Sequence, residues 1–533
     1  MRKCVCASIM LALSTVAVAA CGSSKSGTAS SGVGSSKPYA ELRWGSAPTT
    51  RLDFATNLET GSSAMEALAV QNLMEFEQSG KVKPGPATRS VEHPNTTTYI
   101  YNLKSGVRFS DGKPLTAADV VYSLKRNLGK EAQTASSFAN VASIAESGPL
   151  TVVVKLKQPN ASWPDIPAFA GQIIEKAAAE RVGESNLGTP SGLPIGTGPW
   201  KIDSFSPTTG VQYSRNPYWT GPTPPARRIS VDFFKEESAE ALALRSGAID
   251  GCFPVSVLKS FLDIPGTHLL IAPGTGSAVI SMNTIIPPFN NIHVRRAIAY
   301  ATNVKGMLQA TWGKYAAIEH AVVPASVFAG LAPASAVNAM LDSLPKYEFN
   351  IAAAKRELGK SPYPHGFTTT AQVEISDDRG TVVGQILASD LAKIGISVKI
   401  QTMPSATWLA TLYGPRKAIK LFPVEYASVF PDPDALMYYW LAPEAAKVNG
   451  LNSANYTNPE IGRLLKEEDM ASNPHKRLEL IGKILRISME DVPYQPQYSP
   501  DYVSVLSDRY VWPTFATTTI FYTAWAMDVR LAH

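Results

Sequence analysis

Cysteine is scarce in this chain, and its placement excludes a fold held by disulfides. Only 4 of the 533 residues are cysteine, and two of them, Cys4 and Cys6, lie at the extreme N-terminus. Removal of an N-terminal signal and modification of Cys21, both argued below, would leave Cys252 without a partner in the chain. We therefore expect Cys252 to be a buried small side chain rather than a redox or catalytic centre.

Long apolar runs and a strong net charge are also lacking. Beyond the N-terminal segment, no apolar run is long enough to span a bilayer as a helix. Lysine and arginine total 49, aspartate and glutamate total 44, and removal of Arg2 and Lys3 leaves a formal charge of 47 − 44 = +3. Nucleic-acid-binding proteins ordinarily carry a marked basic excess or a basic stripe. We therefore expect no nucleic-acid partner.

Motifs of the common catalytic classes are missing as well. The sequence contains no G-x-S-x-G, no G-x-x-x-x-G-K-[ST] and no H-E-x-x-H, and its histidines are scattered. Residues 196–200 (GTGPW) lack the third glycine of a dinucleotide loop. Asp432 and Asp434 flank a proline without a calcium loop around them, so a turn with a solvated acid is expected. We expect no enzyme, no metal and no cofactor, although distant carboxylates could still meet in the fold.

The N-terminus has the pattern of a secretory signal. A basic start, a short apolar stretch and small residues ending at Ala20 predict a signal peptide over residues 1–20. A cysteine directly after the small residues resembles the bacterial lipobox. That resemblance implies cleavage before Cys21, a diacylglyceryl thioether on its sulfur, and a location on the outer face of the cytoplasmic membrane or in the periplasm. The alternative is an ordinary signal peptide followed by a chance cysteine.

The mature chain is predicted to begin with a tether and to continue as an α/β protein. Residues 21–38 are rich in Gly and Ser, which is typical of a flexible linker. Strands are predicted at about 41–45, 99–103, 150–156, 211–214, 229–234, 396–402 and 502–507. Helices are predicted at about 236–247, 293–308, 350–359, 380–394 and 476–489. Strands and helices alternate through much of the chain, which favours α/β lobes.

Two of the predicted helices have clear sequence signals. Thr116 followed by Asp119 predicts a capped helix start, and the apolar stripe Val120, Leu124, Leu128 continues at helical spacing. In the helix predicted at 293–308, apolar residues share one face, and three basic residues, Arg295, Arg296 and Lys305, are expected to lie away from it.

The segment Tyr99–Arg126 (YIYNLKSGVRFSDGKPLTAADVVYSLKR) resembles the extracellular solute-binding proteins of family 5. These are the oligopeptide- and dipeptide-binding lipoproteins of ABC importers. Further segments resemble the family in the same order along the chain: 196–200, 215–219, 243–250, 288–301 and 430–434. The resemblance covers roughly residues 41–510, and the long motifs within it are expected to serve folding rather than chemistry.

The resemblance implies an α/β, two-lobed periplasmic-binding-protein-like fold of type II. Lobe one would comprise residues 39–275, with an extra subdomain at about 76–190, lobe two 276–500, and residues 501–533 would return to lobe one. Ligand would bind between the lobes, which close over it. The implied partners are a peptide or small-molecule ligand, the permease subunits of an ABC transporter and, through the lipid anchor, a membrane. The chain itself is expected to be a monomer.

One position departs from the pattern of the family's peptide receptors. Their loop W-x-A-D-Y-x-D-P carries an aspartate that pairs with the α-ammonium of the peptide, and Val429 stands at that place. A valine leaves such a charge without a partner, which costs several kcal/mol when the charge is buried. Either another acid such as Glu425 or Asp432 supplies the charge, or the ligand has no free ammonium. A shift of the alignment by one residue would put Ser428 there.

The remaining candidate ligand residues also come from the resemblance. Tyr426, Ala427 and Phe430 belong to the same loop, and the two aromatic residues could supply apolar pocket wall. Trp408 is either a pocket residue that covers an apolar group or a sugar face, or a core tryptophan. A loop of lobe one that is expected near the cleft contributes three residues: Thr60, Gly61 and Ser62.

Three functions remain open at this point. The first is a lipid-anchored receptor that delivers a peptide or peptide-like solute to an ABC importer, or the same fold binding an oligosaccharide, an opine or a metal chelate. The second is a secreted lipoprotein hydrolase, for which no nucleophile motif is found. The third is a sensor or chaperone with this fold and no transporter.

Overall fold

The computed structural model describes residues 35, 37–253, 258–375, 378–415, 419–428 and 430–533. The predicted signal peptide 1–20, the lipidation site Cys21 and nearly all of the linker lie outside the described residues. Val429 also lies outside them. Within the described part of the chain, no helix combines the length and the hydropathy needed to cross a membrane.

The first sheet has seven strands and mixed directions. Its central strand, Tyr39–Ser46, runs parallel to Ala226–Phe233 and to the short strand Gly251–Cys252. Cys252 is fully buried, as expected. The strands in spatial order are Thr267–Ala272, Tyr502–Ser507, Gly251–Cys252, Tyr39–Ser46, Ala226–Phe233, Gly210–Arg215 and Trp200–Ser206.

The second sheet has six strands and its own core. Strand Gly276–Met282 is buried along its whole length and lies between two antiparallel neighbours, while Thr368–Glu374 pairs in parallel with Ser397–Met403. The strands in spatial order are Ala316–Ile318, Tyr494–Pro500, Gly276–Met282, Leu421–Ala427, Thr368–Glu374 and Ser397–Met403.

The third sheet has four strands and carries the longest sequence motif. Its strands in spatial order are Thr88–Asn95, Thr98–Leu103, Thr151–Leu156 and Val141–Gly148. Two short ladders complete the sheet structure: Met74–Phe76 with Val82–Pro84, and Tyr510–Val511 with Arg530–Leu531.

The capped helix predicted after Thr116 is present as Ala117–Arg126. The backbone N–H and the hydroxyl of Thr116 donate to the Asp119 carboxylate at 3.0 and 2.6 Å, which fixes the helix start. Val120 and Leu124 are buried, but the prediction that the stripe continues to Leu128 was wrong, because the helix ends first and Leu128 is exposed.

Helices pack against the sheets, for example Ala117–Arg126 against Val141–Gly148. Their bounds are Thr60–Glu66, Ala117–Arg126, Ile166–Phe169, Lys176–Val182, Glu237–Arg245, Ile292–Ala301, Val304–Thr311, Ala334–Asp342, Ile351–Leu358, Asp378–Ala392, Ser405–Tyr413, Pro433–Leu441, Pro459–Asp469, Pro474–Asp491 and Thr517–Tyr522.

The single helix predicted at 293–308 is two helices. The break falls at Asn303, whose backbone N–H donates to Asp390 at 3.0 Å and whose side chain accepts the N–H of Gly306 at 2.9 Å. The prediction that Arg295 lies away from the core was also wrong. Its buried guanidinium donates to the carbonyls of Asp491 and Phe289 at 2.9 and 2.8 Å. A basic residue can therefore be internal where two backbone carbonyls need donors.

The chain passes between the first and second sheets twice. It leaves the first sheet at Ala272 and enters the second at Gly276, and it returns between Pro500 and Tyr502. The two segments lie side by side, because the hydroxyl of Ser499, next to the second segment, donates to the carbonyl of Gly274 at 3.4 Å. We call these two segments the crossing. The residue limits given above for the lobes and the subdomain stay a prediction.

Candidate functional site

A small cavity of about 170 Å³ lies next to the crossing, between the two lobes. We call it the aromatic cavity. Five of its lining residues carry a hydroxyl group: Ser63, Thr275, Ser428, Thr517 and Thr518. Six of its fourteen described lining residues are aromatic, and the rings come from five separate stretches of chain: Phe54, Phe169, Phe430, Tyr502, Phe521 and Tyr522.

The rings contact one another across the two lobes. Phe169 lies 5.1 Å from Phe54, 5.9 Å from Tyr522 and 5.7 Å from Phe430, measured between ring centroids. Phe430 follows a strand of the second sheet, whereas Phe54 and Phe169 precede the crossing. The lobes therefore meet through aromatic rings in tilted or edge-on contact, a geometry that stabilises such pairs.

The loop after Ala427 is held in place by the crossing. Ala427 pairs with Gly276 in the ladder, and the N–H of Ser428 donates to the carbonyl of Thr275 at 3.1 Å. The hydroxyl of Ser428 donates to the carbonyl of Phe430. These bonds turn the chain so that Ala427, Ser428 and Phe430, three of the predicted ligand residues, line the aromatic cavity.

Tyr426, predicted in the same loop, faces the other way. Its ring stacks on Trp440 with 4.3 Å between centroids, and its hydroxyl donates to the carbonyl of Leu451 at 3.1 Å. Alternate residues of a strand point to opposite faces of the sheet, so Tyr426 belongs to the second-lobe core while Ala427 reaches the cavity.

Three other predicted residues, Trp408, Gly61 and Ser62, are not among the described residues that line the cavity. Trp408 stacks on Phe422 with 5.2 Å between centroids and packs against the second-lobe core, in agreement with the core interpretation. Thr60 and Gly61 begin helix Thr60–Glu66, and Ser62 is fully buried, with its hydroxyl donating to the carbonyl of Arg51 at 2.6 Å. A ligand contact by these residues stays a prediction. The next residue, Ser63, lines the cavity.

Asp432 is not the solvated turn residue that the sequence led us to expect. Its side chain is 5% exposed, and both oxygens accept bonds from Arg477 at 2.6 and 2.7 Å. It also accepts the N–H of Asp434 at 2.9 Å at the start of helix Pro433–Leu441. Because this carboxylate is already paired, it is not an available replacement for the acid missing at Val429. Glu425, the other candidate, is exposed and does not line the aromatic cavity.

Arg477 is the cation of a larger carboxylate cluster between the lobes. Its Nε donates to Glu468 at 2.5 Å, in addition to the bidentate pair with Asp432. Asp434 and Asp469 stand nearby, and Asp165 approaches from the part of the chain before the crossing. The N–H of Ala161 in that part donates to the carbonyl of Asp469 at 2.6 Å. We call these groups the Arg477 cluster: Asp165, Asp432, Asp434, Glu468, Asp469 and Arg477.

Four acids of the Arg477 cluster have raised pKa values: Asp165, Asp434, Glu468 and Asp469. Burial, reinforced by Asp432 and Asp469, raises the pKa of Asp434 to about 7. Burial raises the pKa of Asp469 to about 6, and it raises the pKa values of Asp165 and Glu468 well above the usual range. One arginine cannot neutralise so many carboxylates in a poorly hydrated place.

The aromatic cavity itself is uncharged. Among the described residues that line it, none is a lysine, arginine, histidine, aspartate or glutamate. Burial raises the pKa of Tyr502 to about 12, so this phenol stays neutral. Apolar walls with a few hydroxyls are typical of a binding pocket, in which the polar groups orient a ligand that the walls enclose.

Sequence reasoning missed most of the aromatic wall. Phe54, Phe169, Tyr502, Phe521 and Tyr522 belong to no motif, and their spacing resembles that of ordinary core aromatics. The one usable signal was the segment 517–522 (TTTIFY), a short polar and aromatic run after the return to the first sheet.

Comparisons with known proteins identify relatives in sequence and in fold. A glutathione-binding protein GsiB from Salmonella paratyphi A is 26% identical over 456 residues, which cover 84% of this chain and 86% of that protein. The periplasmic binding protein DppA from Helicobacter pylori, solved with the peptide STSA, superposes with a TM-score of 0.75 at 22% identity, covering 93% of this chain and 99% of that one.

A third relative was solved with a different class of ligand. AgaA from A. tumefaciens R10, in complex with agropinic acid, superposes with a TM-score of 0.73 at 20% identity, covering 93% of this chain and 99% of that one. These structural likenesses establish the two-lobed fold. Residues 81–447 match the family described as bacterial extracellular solute-binding proteins, family 5 Middle. Because that match spans more than half of the chain, the protein belongs to the family 5 solute-binding proteins of ABC importers.

Proposed function

We propose that this protein is a lipid-anchored, non-enzymatic receptor that captures a peptide or peptide-like solute outside the cell and delivers it to an ABC permease. The observation that carries the proposal is the aromatic cavity, which both lobes enclose beside the crossing. Its rings can bury an apolar side chain, and its hydroxyls can bond to amide groups. The relatives named for glutathione and for the peptide STSA support a peptide-like solute.

A hydrolase is the weaker explanation of the same cavity. Serine hydroxyls reach it, but an activated serine needs a neighbouring base, and no histidine or carboxylate is found among the described residues that line it. A non-peptide solute is a stronger second candidate, because the relative solved with agropinic acid has the same fold.

Native mass spectrometry of the full chain in detergent tests the proposal directly. The protein is incubated with a casein digest and, separately, with a mixture of an oligosaccharide, an opine and a nickel–histidine chelate. Retained peptide masses would support the proposal, and retention from the second mixture alone would favour the second candidate. Conversion of any probe to a product would revive the hydrolase. Retention without loss of peptide uptake on gene deletion would favour a sensor.

Filling the aromatic cavity is expected to abolish peptide retention while the protein stays folded. Ala427 lines the cavity and is exposed, so Ala427→Trp places an indole in a volume of about 170 Å³ without disturbing the core. Peptide retention from the casein digest is measured by native mass spectrometry. The control is Ala339→Trp on the exposed face of helix Ala334–Asp342, which should retain peptides as the unmodified protein does. Equal retention by both variants would place the ligand elsewhere.

The lipid anchor can be tested at Cys21. Cys21→Ala is expected to abolish incorporation of labelled palmitate and to release the protein from the membrane, because no thiol remains for the diacylglyceryl group. Cys252→Ala is the control and should keep the label, since that thiol is buried. A labelled, membrane-bound Cys21→Ala protein would contradict the proposal of a lipid anchor.

A further inference from the structure

A hairpin that precedes the crossing reaches over to the second lobe. Its strands are Met74–Phe76 and Val82–Pro84, and we call the turn between them, residues 77–81, the hairpin tip. The N–H of Gly80 donates to the carbonyl of Glu77 at 2.9 Å. Gly80 has a φ of +79°, a left-handed conformation in which a side chain would be strained. The hairpin tip is therefore a tight turn that needs glycine at this position.

The hairpin tip is fastened to the first lobe. The hydroxyl of Thr518 donates to the carbonyl of Glu77 at 3.2 Å, and Thr518 lies in helix Thr517–Tyr522, after the return of the chain to the first sheet. Phe76, at the base of the tip, is buried, and its ring lies 5.6 Å from the ring of Tyr522. A movement of the first lobe would therefore carry the hairpin tip with it.

The surface opposite the hairpin tip is a turn of the second lobe. Residues 329–331 follow the short 3₁₀ helix Ala325–Phe328, and we call them the facing turn. The N–H of Leu331 donates to the carbonyl of Phe328 at 2.9 Å. Phe328 is fully buried in the second-lobe core. The facing turn is therefore held by its own lobe.

The two turns meet through one glycine of each lobe. A Cβ atom on Gly330 would lie 2.7 Å from the carbonyl oxygen of Gly80, and a Cβ on Gly80 would lie 3.0 Å from the backbone nitrogen of Gly330. Carbon and oxygen atoms in close contact are ordinarily about 3.3–3.6 Å apart. The backbones therefore approach so closely that Gly330 has no room for a side chain while the lobes are in this position.

This contact lies outside the aromatic cavity. Gly80 and Gly330 both line a recess of about 650 Å³ between the lobes, and Gly80 also lines a second recess of about 680 Å³. Neither glycine is among the described residues that line the aromatic cavity. The contact can therefore limit how closely the lobes approach without touching a solute held in that cavity.

Separation of the lobes at this contact would also loosen two contacts elsewhere between them. The N–H of Ala161 donates to the carbonyl of Asp469 at 2.6 Å, and the rings of Phe169 and Phe430 lie 5.7 Å apart. Both rings are walls of the aromatic cavity. A wider separation at the hairpin tip would therefore enclose a solute less completely.

We propose that the hairpin tip and the facing turn form a closing stop, a contact that sets how far the two lobes close and thereby how tightly they hold a solute. Solute affinity then depends on two glycines that do not contact the solute. A protein whose binding-competent state is populated less binds its ligand more weakly in proportion. A side chain on Gly330 would act in this way, because it keeps the lobes from reaching the closed position. The effect on affinity rests on the proposed function, whereas the effect on lobe separation does not.

The test adds a wedge at Gly330. This residue is exposed and its φ lies outside the left-handed region, so Gly330→Ala and Gly330→Val should fold normally. The matched control is Ala339→Val, which adds an apolar side chain on the exposed face of helix Ala334–Asp342 in the same lobe. Peptide affinity is taken from the concentration of a casein digest that gives half-maximal retention in native mass spectrometry of the full chain in detergent.

The separation of the lobes is measured between two spin labels. Lys125 precedes the crossing, Lys466 follows it, and both are exposed. Each is replaced by p-acetylphenylalanine, whose ketone takes a spin label and leaves the cysteines unmodified. Double electron–electron resonance then gives the distribution of label distances, with and without the casein digest.

The unmodified protein and Ala339→Val are expected to give the same shortest distance with the digest. Gly330→Ala and Gly330→Val should lengthen it in that order, and Gly330→Val should bind peptides about 10-fold more weakly. Unchanged distances in Gly330→Val would overturn the proposal, as would longer distances with unchanged affinity. Failure of the unmodified protein to retain peptide would instead overturn the proposed function. The stop would then still be tested, because the wedge should remove the shortest distances from the solute-free distribution.

Discussion

Replacing Arg477 by methionine is expected to lower the free energy of unfolding by about 3–5 kcal/mol. The guanidinium is buried and forms three charge-assisted bonds, two to Asp432 and one to Glu468. Removal of this single cation leaves both carboxylates buried without a counter-charge. Chemical denaturation at pH 7, followed by tryptophan fluorescence, measures the loss.

Two further variants distinguish the loss of the counter-charge from a loss of packing. Arg486→Met changes an exposed arginine on the same helix, Pro474–Asp491, and should cost little. The triple variant Arg477→Met, Asp432→Asn, Glu468→Gln should recover much of the lost stability, because no uncompensated charge remains. A triple variant no more stable than Arg477→Met alone would show that shape, not charge, determines the cost.

The fold was predictable where local signals and burial agree. The strand 502–507 was predicted with its observed bounds, and the capped helix after Thr116 follows from the position of Asp119. Residues 196–200 are one of the motifs expected to serve folding rather than chemistry. A Cβ on Gly196 would lie 2.3 Å from the carbonyl oxygen of Ala69. Trp200 is fully buried, as expected of a packing residue.

Prediction failed where a distant residue decides the local structure. The helix predicted at 293–308 breaks because Asp390, far along the chain, accepts the N–H of Asn303. Arg295 is internal because Asp491 and Phe289 present carbonyls to it. Hydrophobic periodicity depends only on residues that are near one another in sequence. A prediction made from it therefore places a charged residue on the surface when the distant partners of that residue are unknown.

The candidate site was predictable only in part, for the same reason. Ala427, Ser428 and Phe430 were found because one continuous loop carries them. The aromatic wall draws rings from far apart, and Asp432 meets Arg477 across 45 positions. No spacing rule in the sequence records such distant contacts.

Raising the pH from 5 to 8 is expected to destabilise the protein, with Asp434 contributing roughly 2–3 kcal/mol of the loss. Its pKa is raised from 3.8 to about 7 by burial and by the neighbouring acids Asp432 and Asp469. The folded state therefore binds this proton more tightly than the unfolded state. Its stabilising effect is complete below about pH 4 and is lost as the pH rises through 7. Chemical denaturation at a series of pH values measures the slope.

Asp434→Asn should remove this contribution and leave the rest of the pH dependence. The amide keeps the size of the protonated acid and never ionises, so the variant should be more stable than the unmodified protein at pH 8 and nearly equal at pH 5. Glu444→Gln, a change at an exposed acid, should retain the original slope. Asp469, whose pKa is raised to about 6, still acts in the same direction in the variant. An unchanged slope in Asp434→Asn would mean that Asp434 is ionised in the folded protein throughout this range, with Arg477 as its counter-charge.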